Sequence, residues 1–240
     1  MTNLTAAMLV IGDEILSGRT RDANMYHLAN ELNAVGIDLQ EARFVRDEAG
    51  AITTAFREIS SIYDYVFSSG GIGPTHDDIT ADAVACAFGL SIEVRDDAFE
   101  ILKAHYDLQG LELNAARLRM ARIPEDAILI NNPISSAPGF RIKNVYVMAG
   151  VPSIFNAMLE SVLPTLKGGV PMISETIQVN RGEGEIAAEF GLIADAFPEV
   201  SMGSYPFQKE GKYGTNLVLR SRNKFLLKKA KAQLIDLISS

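Results

Sequence analysis

The stretch SSGGIGPTHDDIT, Ser68 to Thr80, decides how this chain reads. It follows the apolar run Tyr65-Val66-Phe67 and precedes a segment with helical apolar spacing, so it marks the end of a strand, a glycine loop and a helix start. Gly70, Gly71 and Gly73 carry no Cβ, which lets the backbone take positive φ and bring N–H groups close to a bound group. Thr75, His76, Asp77, Asp78 and Thr80 add polar chemistry beside them. That combination suits a phosphate-bearing ligand.

Upstream, LTAAMLVI (Leu4 to Ile11) is a short apolar run ended by Gly12-Asp13-Glu14, as expected of a buried strand. A helical pattern opens at Asp22, with Tyr26, Leu28, Leu32 and Val35 on one side and Gly36 placed as a C-terminal cap. A second strand fits Ile37 to Val45, a helix Ala49 to Ile62, a third strand Asp64 to Ser68 and a third helix Ile79 to Phe88. Such alternation predicts an α/β unit with a mostly parallel sheet, because parallel strands need right-handed crossovers. The carboxyl ends of the strands then share one edge, where open α/β sheets bind ligands. Asp13, Asp47 and the Asp77-Asp78 pair follow the first, second and third strands and should converge there.

Residues 91–123 look mostly helical, Ala127 to Ile130 and Val145 to Met148 look like strands, and Asn131 to Phe140 reads as a loop between them. A helix from Ile154 to Leu166 closes a first domain spanning residues 1–167. Residues 172–240 read as strand, helix, strand, strand and helix, a small α+β domain.

The chain has 240 residues and a formal charge of −8, with 13 Lys and Arg against 22 Asp and Glu up to residue 170. A net-acidic protein is a poor partner for nucleic acid or an anionic membrane, so neither is expected. No apolar run approaches the roughly 18 residues that span a bilayer, and the N-terminus has no basic region, so a cytoplasmic protein is expected. Cys86, the single cysteine, lies among Ala85, Ala87 and Phe88 and is expected to be a buried structural thiol. A phosphate near Asp77 and Asp78 calls for a metal cation between them.

With these pieces in place, the chain resembles the molybdopterin-binding-domain superfamily of MoaB/Mog type, and more closely its CinA branch, which includes the related domain of eukaryotic FAD synthases. The resemblance rests on GDEILSG (Gly12 to Gly18) with Asp22 and Asn24, on GGIGPTHDDIT (Gly70 to Thr80), on APGF (Ala137 to Phe140) and on Gly150-Val151-Pro152. It covers essentially the whole chain, and only GGIGPTHDDIT is specific by itself. Ala149 stands where the family often has Pro, and Gly184 where it often has Ser. The resemblance implies a three-layer MoaB/Mog-like domain followed by a small CinA-type domain. It also implies a metal-dependent pyrophosphatase acting on ADP-ribose or FAD, with molybdopterin binding or adenylylation as the alternative and a non-catalytic ligand-binding module as a third reading. The amide hydrolase domain of longer CinA proteins has no room here, so that activity is expected to be absent. Mg²⁺, Mn²⁺ or Co²⁺ is the expected cofactor, K⁺ a further candidate, and a homodimer or homotrimer the expected assembly.

On these readings Asp78, Asp13 and Asp47 are the candidate catalytic residues and Asp13, Asp77 and Asp78 the candidate metal ligands, since carboxylates can hold a divalent cation and position an attacking water. Asp78 equally fits a helix N-cap, and Asp13 and Asp47 equally fit ordinary turns after strands. Gly70, Gly71, Gly73, Thr75, Ser17, Asn24, Ser136 and Gly139 are the candidate substrate-binding residues. His76 and the lysines at 224, 228, 229 and 231 read better as solvated surface.

Overall fold

The computed structural model describes residues 3–209 and 211–239. The chain divides into two compact units, the first ending at Gly169 and the second beginning at Val170. The first unit opens with β1 (Thr5–Ile11), α1 (Asp13–Leu16), α2 (Asn24–Ala34), β2 (Asp38–Val45), α3 (Ala49–Ile62), β3 (Tyr65–Ser69) and α4 (Thr80–Phe88). It continues with β4 (Ile92–Val94), α5 (Asp96–Leu108), α6 (Ala115–Leu118), β5 (Arg122–Pro124), β6 (Ile128–Ile130), β7 (Gly139–Ile142), β8 (Val145–Met148) and α7 (Pro152–Val162).

Six strands form one sheet in the order β2-β1-β3-β8-β7-β6. The β2-β1-β3-β8 part is parallel, and β7 and β6 run antiparallel to their neighbours. The unbroken apolar run of β1 follows from burial on both faces: Ala7, Leu9 and Ile11 enter one core with Phe56, Val84 and Leu102, while Ala6, Met8 and Val10 enter the other with Leu28, Phe155 and Leu159. The result is a three-layer α/β unit with α3, α4 and α5 on one side and α2 and α7 on the other. All three leading parallel strands end on the edge that carries the Gly12 and Gly70 turns, and Gly70 donates a 3.1 Å hydrogen bond to Met148 at the end of β8.

Three sequence expectations are corrected. Gly139 and Phe140, read as the end of a loop, open β7, which returns through Lys143 at φ 51° to pair with β8. Within the stretch read as mostly helical, β4 and β5 pair as a short antiparallel ribbon; three-residue strands are too short to display alternation. Cys86 is exposed, because α4 turns Ala83, Val84 and Ala85 inward and leaves position 86 on its outer face.

The second unit comprises β9 (Ile173–Val179), α8 (Glu183–Ala196), β10 (Ser201–Lys209), β11 (Lys212–Ser221) and α9 (Lys224–Ser239). Its antiparallel sheet has the order β10-β11-β9, so β11 is central and supplies Leu217 and Leu219 to a core with Ile186, Ile193, Leu227 and Leu234 of the two helices. The Asn223 carboxamide oxygen caps α9, accepting from the N–H groups of Phe225 at 3.0 Å and Leu226 at 3.1 Å. Lys231 pairs with Glu175 at 2.8 Å, while Lys224, Lys228 and Lys229 are exposed. Among the described residues no helix is long and apolar enough to cross a membrane.

Candidate active site

A cleft of about 590 Å³ opens in the first unit at the carboxyl ends of its strands. Glu14, Asp47, Asp77 and Asp78 line it together with Gly70, Gly71 and Gly73, and among the described residues no Lys or Arg lines it. Its size lies within the range of small-molecule sites.

The glycine loop is shaped by close packing. Gly70 and Gly71 adopt φ of 107° and 70°; a Cβ on Gly70 would lie 2.2 Å from the Ile11 carbonyl oxygen, and one on Gly71 would lie 2.1 Å from Thr80 Oγ1. Thr80, fully buried, donates through that hydroxyl to the Gly70 carbonyl at 3.0 Å, and its N–H donates to the Gly71 carbonyl at 3.0 Å. Among the described residues, the N–H groups of Gly71, Ile72 and Gly73 donate to no protein acceptor. Three successive donors without a protein acceptor make this loop a candidate cradle for an oxyanion.

Asp78 does not cap α4: the residue before that helix is Ile79, with no side-chain cap. Its carboxylate turns back on the loop and accepts from Thr75 through the N–H at 2.8 Å and through the hydroxyl. Gly73 makes room for it, since a Cβ there would meet Asp78 Oδ2 at 2.7 Å. The same turn lowers the Asp77 carboxyl from its ordinary value, chiefly through Thr75. Arg119 donates to the Asp78 carbonyl at 3.2 Å from behind the loop. His76 is almost fully exposed.

The first acidic turn divides its two carboxylates. Asp13 accepts a forked pair from Arg46, Nε at 3.0 Å and Nη2 at 3.2 Å, which lowers its pKa, and it does not line the cleft. Glu14, one residue on in α1, does line it. Asp47 Oδ2 accepts from the Asp13 N–H at 2.9 Å and so starts α1. Burial pushes the Asp47 carboxyl up, and the charges of Glu14, Asp13 and Asp77 add to that push.

The remaining sequence candidates lie around or beneath the cleft. Ser17 donates to the Glu14 carbonyl at 3.3 Å and is exposed outside the cleft. Asn24 is buried and donates to Ser69 Oγ at 2.6 Å and to the Gly150 carbonyl at 2.8 Å, tying α2 to two turns of the cleft floor. Gly139 is interior: a Cβ there would meet Met158 and the Val147 carbonyl within 2.4 Å, so it serves packing of β7. Ser136 stands at φ 59° with its hydroxyl 3.0 Å from His105 Nδ1, while its neighbour Ser135 lines the cleft. Asn132 organises that wall, accepting from the N–H groups of Ile134 and Ser135 and donating to Ser135 Oγ and the Ala137 carbonyl.

Glu14, Tyr106, Met120 and Asn132 are lining residues that the sequence reading passed over. Glu14 sat within the quoted GDEILSG stretch and was masked by its neighbour; nothing in the pattern of α5 marks Tyr106.

Residues 7–168 match the family described as a probable molybdopterin binding domain, and residues 171–240 match the FAD synthase middle domain. The chain is 38% identical to a CinA-like protein of Citrifermentans bemidjiense over 69% of this chain and 41% of that protein. It is 30% identical to a probable FAD synthase of Caenorhabditis briggsae, over 98% of this chain and 49% of that protein. The chain therefore spans half or less of these two relatives. A crystal structure of the CinA protein of Thermoplasma acidophilum, titled as of unknown function, superposes with a TM-score of 0.62 at 33% identity, covering 67% of this chain and 98% of that one. On this fold, these site segments and these matches, the chain belongs to the molybdopterin-binding-domain family, within its CinA group.

Proposed function

We propose that the cleft hydrolyses a nucleotide pyrophosphate such as ADP-ribose or FAD with the help of a divalent metal ion. The observation that carries this reading is the pairing of free N–H groups at Gly71 to Gly73 with four carboxylates in a cleft that, among the described residues, no Lys or Arg lines. The N–H groups accommodate phosphate oxygens, yet Glu14, Asp47, Asp77 and Asp78 repel them unless a cation lies between.

The donor set fits a hard cation of the Mg²⁺ class. Among the described residues no group of three or more His, Cys, Asp or Glu side chains could by itself hold a metal ion. Mg²⁺ ordinarily takes only one or two protein carboxylates, completing its shell with water and substrate phosphate. Asp77 and Asp78, adjacent on the glycine loop and both lining the cleft, would hold it. When bound, such an ion neutralises the phosphates and lowers the pKa of a coordinated water.

The protein groups have separate tasks. The cradle orients the pyrophosphate, and Asp47, whose carboxyl is pushed upward by burial, accepts a proton from the attacking water. The water oxygen forms a new bond to one phosphorus, the bridging P–O bond breaks, and the proton ends on the phosphate products. ADP-ribose thus yields AMP and ribose 5-phosphate, and FAD yields AMP and FMN.

Chromatographic detection of AMP from a panel of dinucleotides with Mg²⁺, Mn²⁺ or Co²⁺ tests the proposal. Asp78→Asn is expected to keep the fold and reduce turnover about 100-fold or more. No AMP across the whole panel would defeat the hydrolase reading. The match to the probable molybdopterin binding domain supports a second reading, a phosphorylated pterin in the same cleft, and binding of molybdopterin without AMP release from dinucleotides would favour it.

A further inference from the structure

The acidic and glycine segments account for only part of the cleft, and a phosphate group fills only a small part of about 590 Å³. The remaining lining includes Tyr106, Met120 and Ala137. Tyr106 lies in the last turn of α5, half-buried, and its ring is clamped from two directions. The Arg117 guanidinium covers one face at 4.4 Å from the ring centroid, and the His105 ring meets it edge-on at 5.3 Å with an interplanar angle of 83°.

Both clamps are themselves anchored. Arg117 donates its N–H to Asn114 Oδ1 at 3.0 Å and its guanidinium to the Glu112 carbonyl. His105 is held between Ser136 Oγ at 3.0 Å and Gln109 Nε2 at 2.9 Å. The Tyr106 hydroxyl, by contrast, has no hydrogen-bond partner among the described residues. The ring also packs against the hydrophobic core of the first unit. Tyr106 thus has a ring held by Arg117 and His105, an unused hydroxyl and a place on the cleft wall.

We propose that Tyr106 is the stacking platform for the purine base of the ligand, whose phosphate lies on the Gly71 to Gly73 cradle. The inference rests on the nucleotide reading given above and names the residue that recognises the base. Arg117 and His105 pre-order the ring, so little side-chain freedom is lost when a base stacks on it. Stacking on an aromatic side chain is tolerant of base identity, so Tyr106 selects for a planar ring and leaves the choice among bases to other contacts.

AMP and ribose 5-phosphate share their phosphate and ribose and differ in the base, so calorimetric titration of both in the presence of Mg²⁺ separates the two halves of the site. The wild-type protein is expected to bind AMP more tightly than ribose 5-phosphate. Tyr106→Phe should keep that preference. Tyr106→Leu, which keeps apolar volume without a planar ring, and Tyr106→Ala should weaken AMP roughly 5- to 150-fold while leaving ribose 5-phosphate little changed. Circular dichroism establishes that each variant is folded, and the leucine variant carries the test if the alanine variant is not. An unchanged AMP preference in the leucine variant, or equal loss of both ligands, would overturn the assignment of Tyr106 while leaving the phosphate site standing. Failure of the wild-type protein to bind either ligand would overturn the nucleotide reading and this inference with it.

Discussion

The carboxylate of Asp47, at the end of β2, accepts a 2.9 Å hydrogen bond from the backbone N–H of Asp13, at the end of β1. One residue thereby joins two strand ends and starts the helical turn that carries Glu14 into the cleft. The same position exposes Asp47 to burial and to the charges of Glu14, Asp13 and Asp77, so its carboxyl is raised.

A raised carboxyl pKa has a definite sign in stability. The folded state binds the Asp47 proton more tightly than the unfolded chain, so Asp47 favours folding at low pH, and that contribution is lost as pH rises from its ordinary value near 3.8 through the raised one. Asp47→Asn keeps an oxygen acceptor for the Asp13 N–H and removes the charge. The variant is expected to melt higher than the wild type near pH 7 and to approach it as the pH falls toward 4. Melting temperature followed against pH for both proteins measures this, and a lower melting temperature for the variant at pH 7 would contradict it.

Asp13 has the opposite sign. Its pKa is lowered chiefly by the hydrogen bonds from Arg46, so its contribution is present above the ordinary value near 3.8 and lost as pH falls through the lowered one. Arg46→Met should return the Asp13 titration toward its ordinary position, as read by carboxyl NMR, with little change in melting temperature because the pair is exposed. Asp13 lies outside the cleft lining, so Asp13→Asn should reduce AMP release far less than Asp78→Asn. Equal losses in the two variants would restore Asp13 to the metal site.

Such distinctions show where the sequence stops being informative. The continuous apolar run of β1 and the amphipathic spacing of Ala49 to Ile62 report burial directly, so strand, helix and shared sheet edge were legible. Which of two adjacent carboxylates faces the cleft was not, because it depends on the direction of a single turn, α1, that four residues cannot announce. Asp78 before an apolar-periodic segment looks the same in sequence whether it caps the helix or bends back to Thr75. Tyr106 was illegible for a different reason: Arg117, which covers its ring, and Ser136, which holds the adjacent His105, come from other segments of the chain.

Gly71→Ala tests how tightly the cradle is built. Its φ of 70° alone costs a residue with a side chain about 1–3 kcal/mol, and the new Cβ would press on Thr80 Oγ1. Unfolding in urea should show a loss of at least about 1 kcal/mol. Adding Thr80→Ala removes the hydroxyl that the methyl meets, so the double variant should lose less than the sum of the two single variants. Strict additivity would mean that the loop relaxes away from Thr80.

Ser136 sets two effects against each other. It holds a left-handed φ of 59°, unfavourable for a residue with a Cβ, while its hydroxyl bonds His105 Nδ1 at 3.0 Å. Ser136→Ala keeps the unfavourable φ and loses the bond, an expected cost of about 0.5–1.5 kcal/mol. Ser136→Gly loses the same bond but relieves the backbone, a gain of about 1–2 kcal/mol partly offset by the greater freedom of glycine in the unfolded chain. Glycine should therefore stand closer to serine than alanine does in urea unfolding. If alanine and glycine fall equally, the backbone at this position is unstrained and the bond to His105 alone accounts for the loss; if glycine falls further than alanine, the order argued from the left-handed φ is wrong.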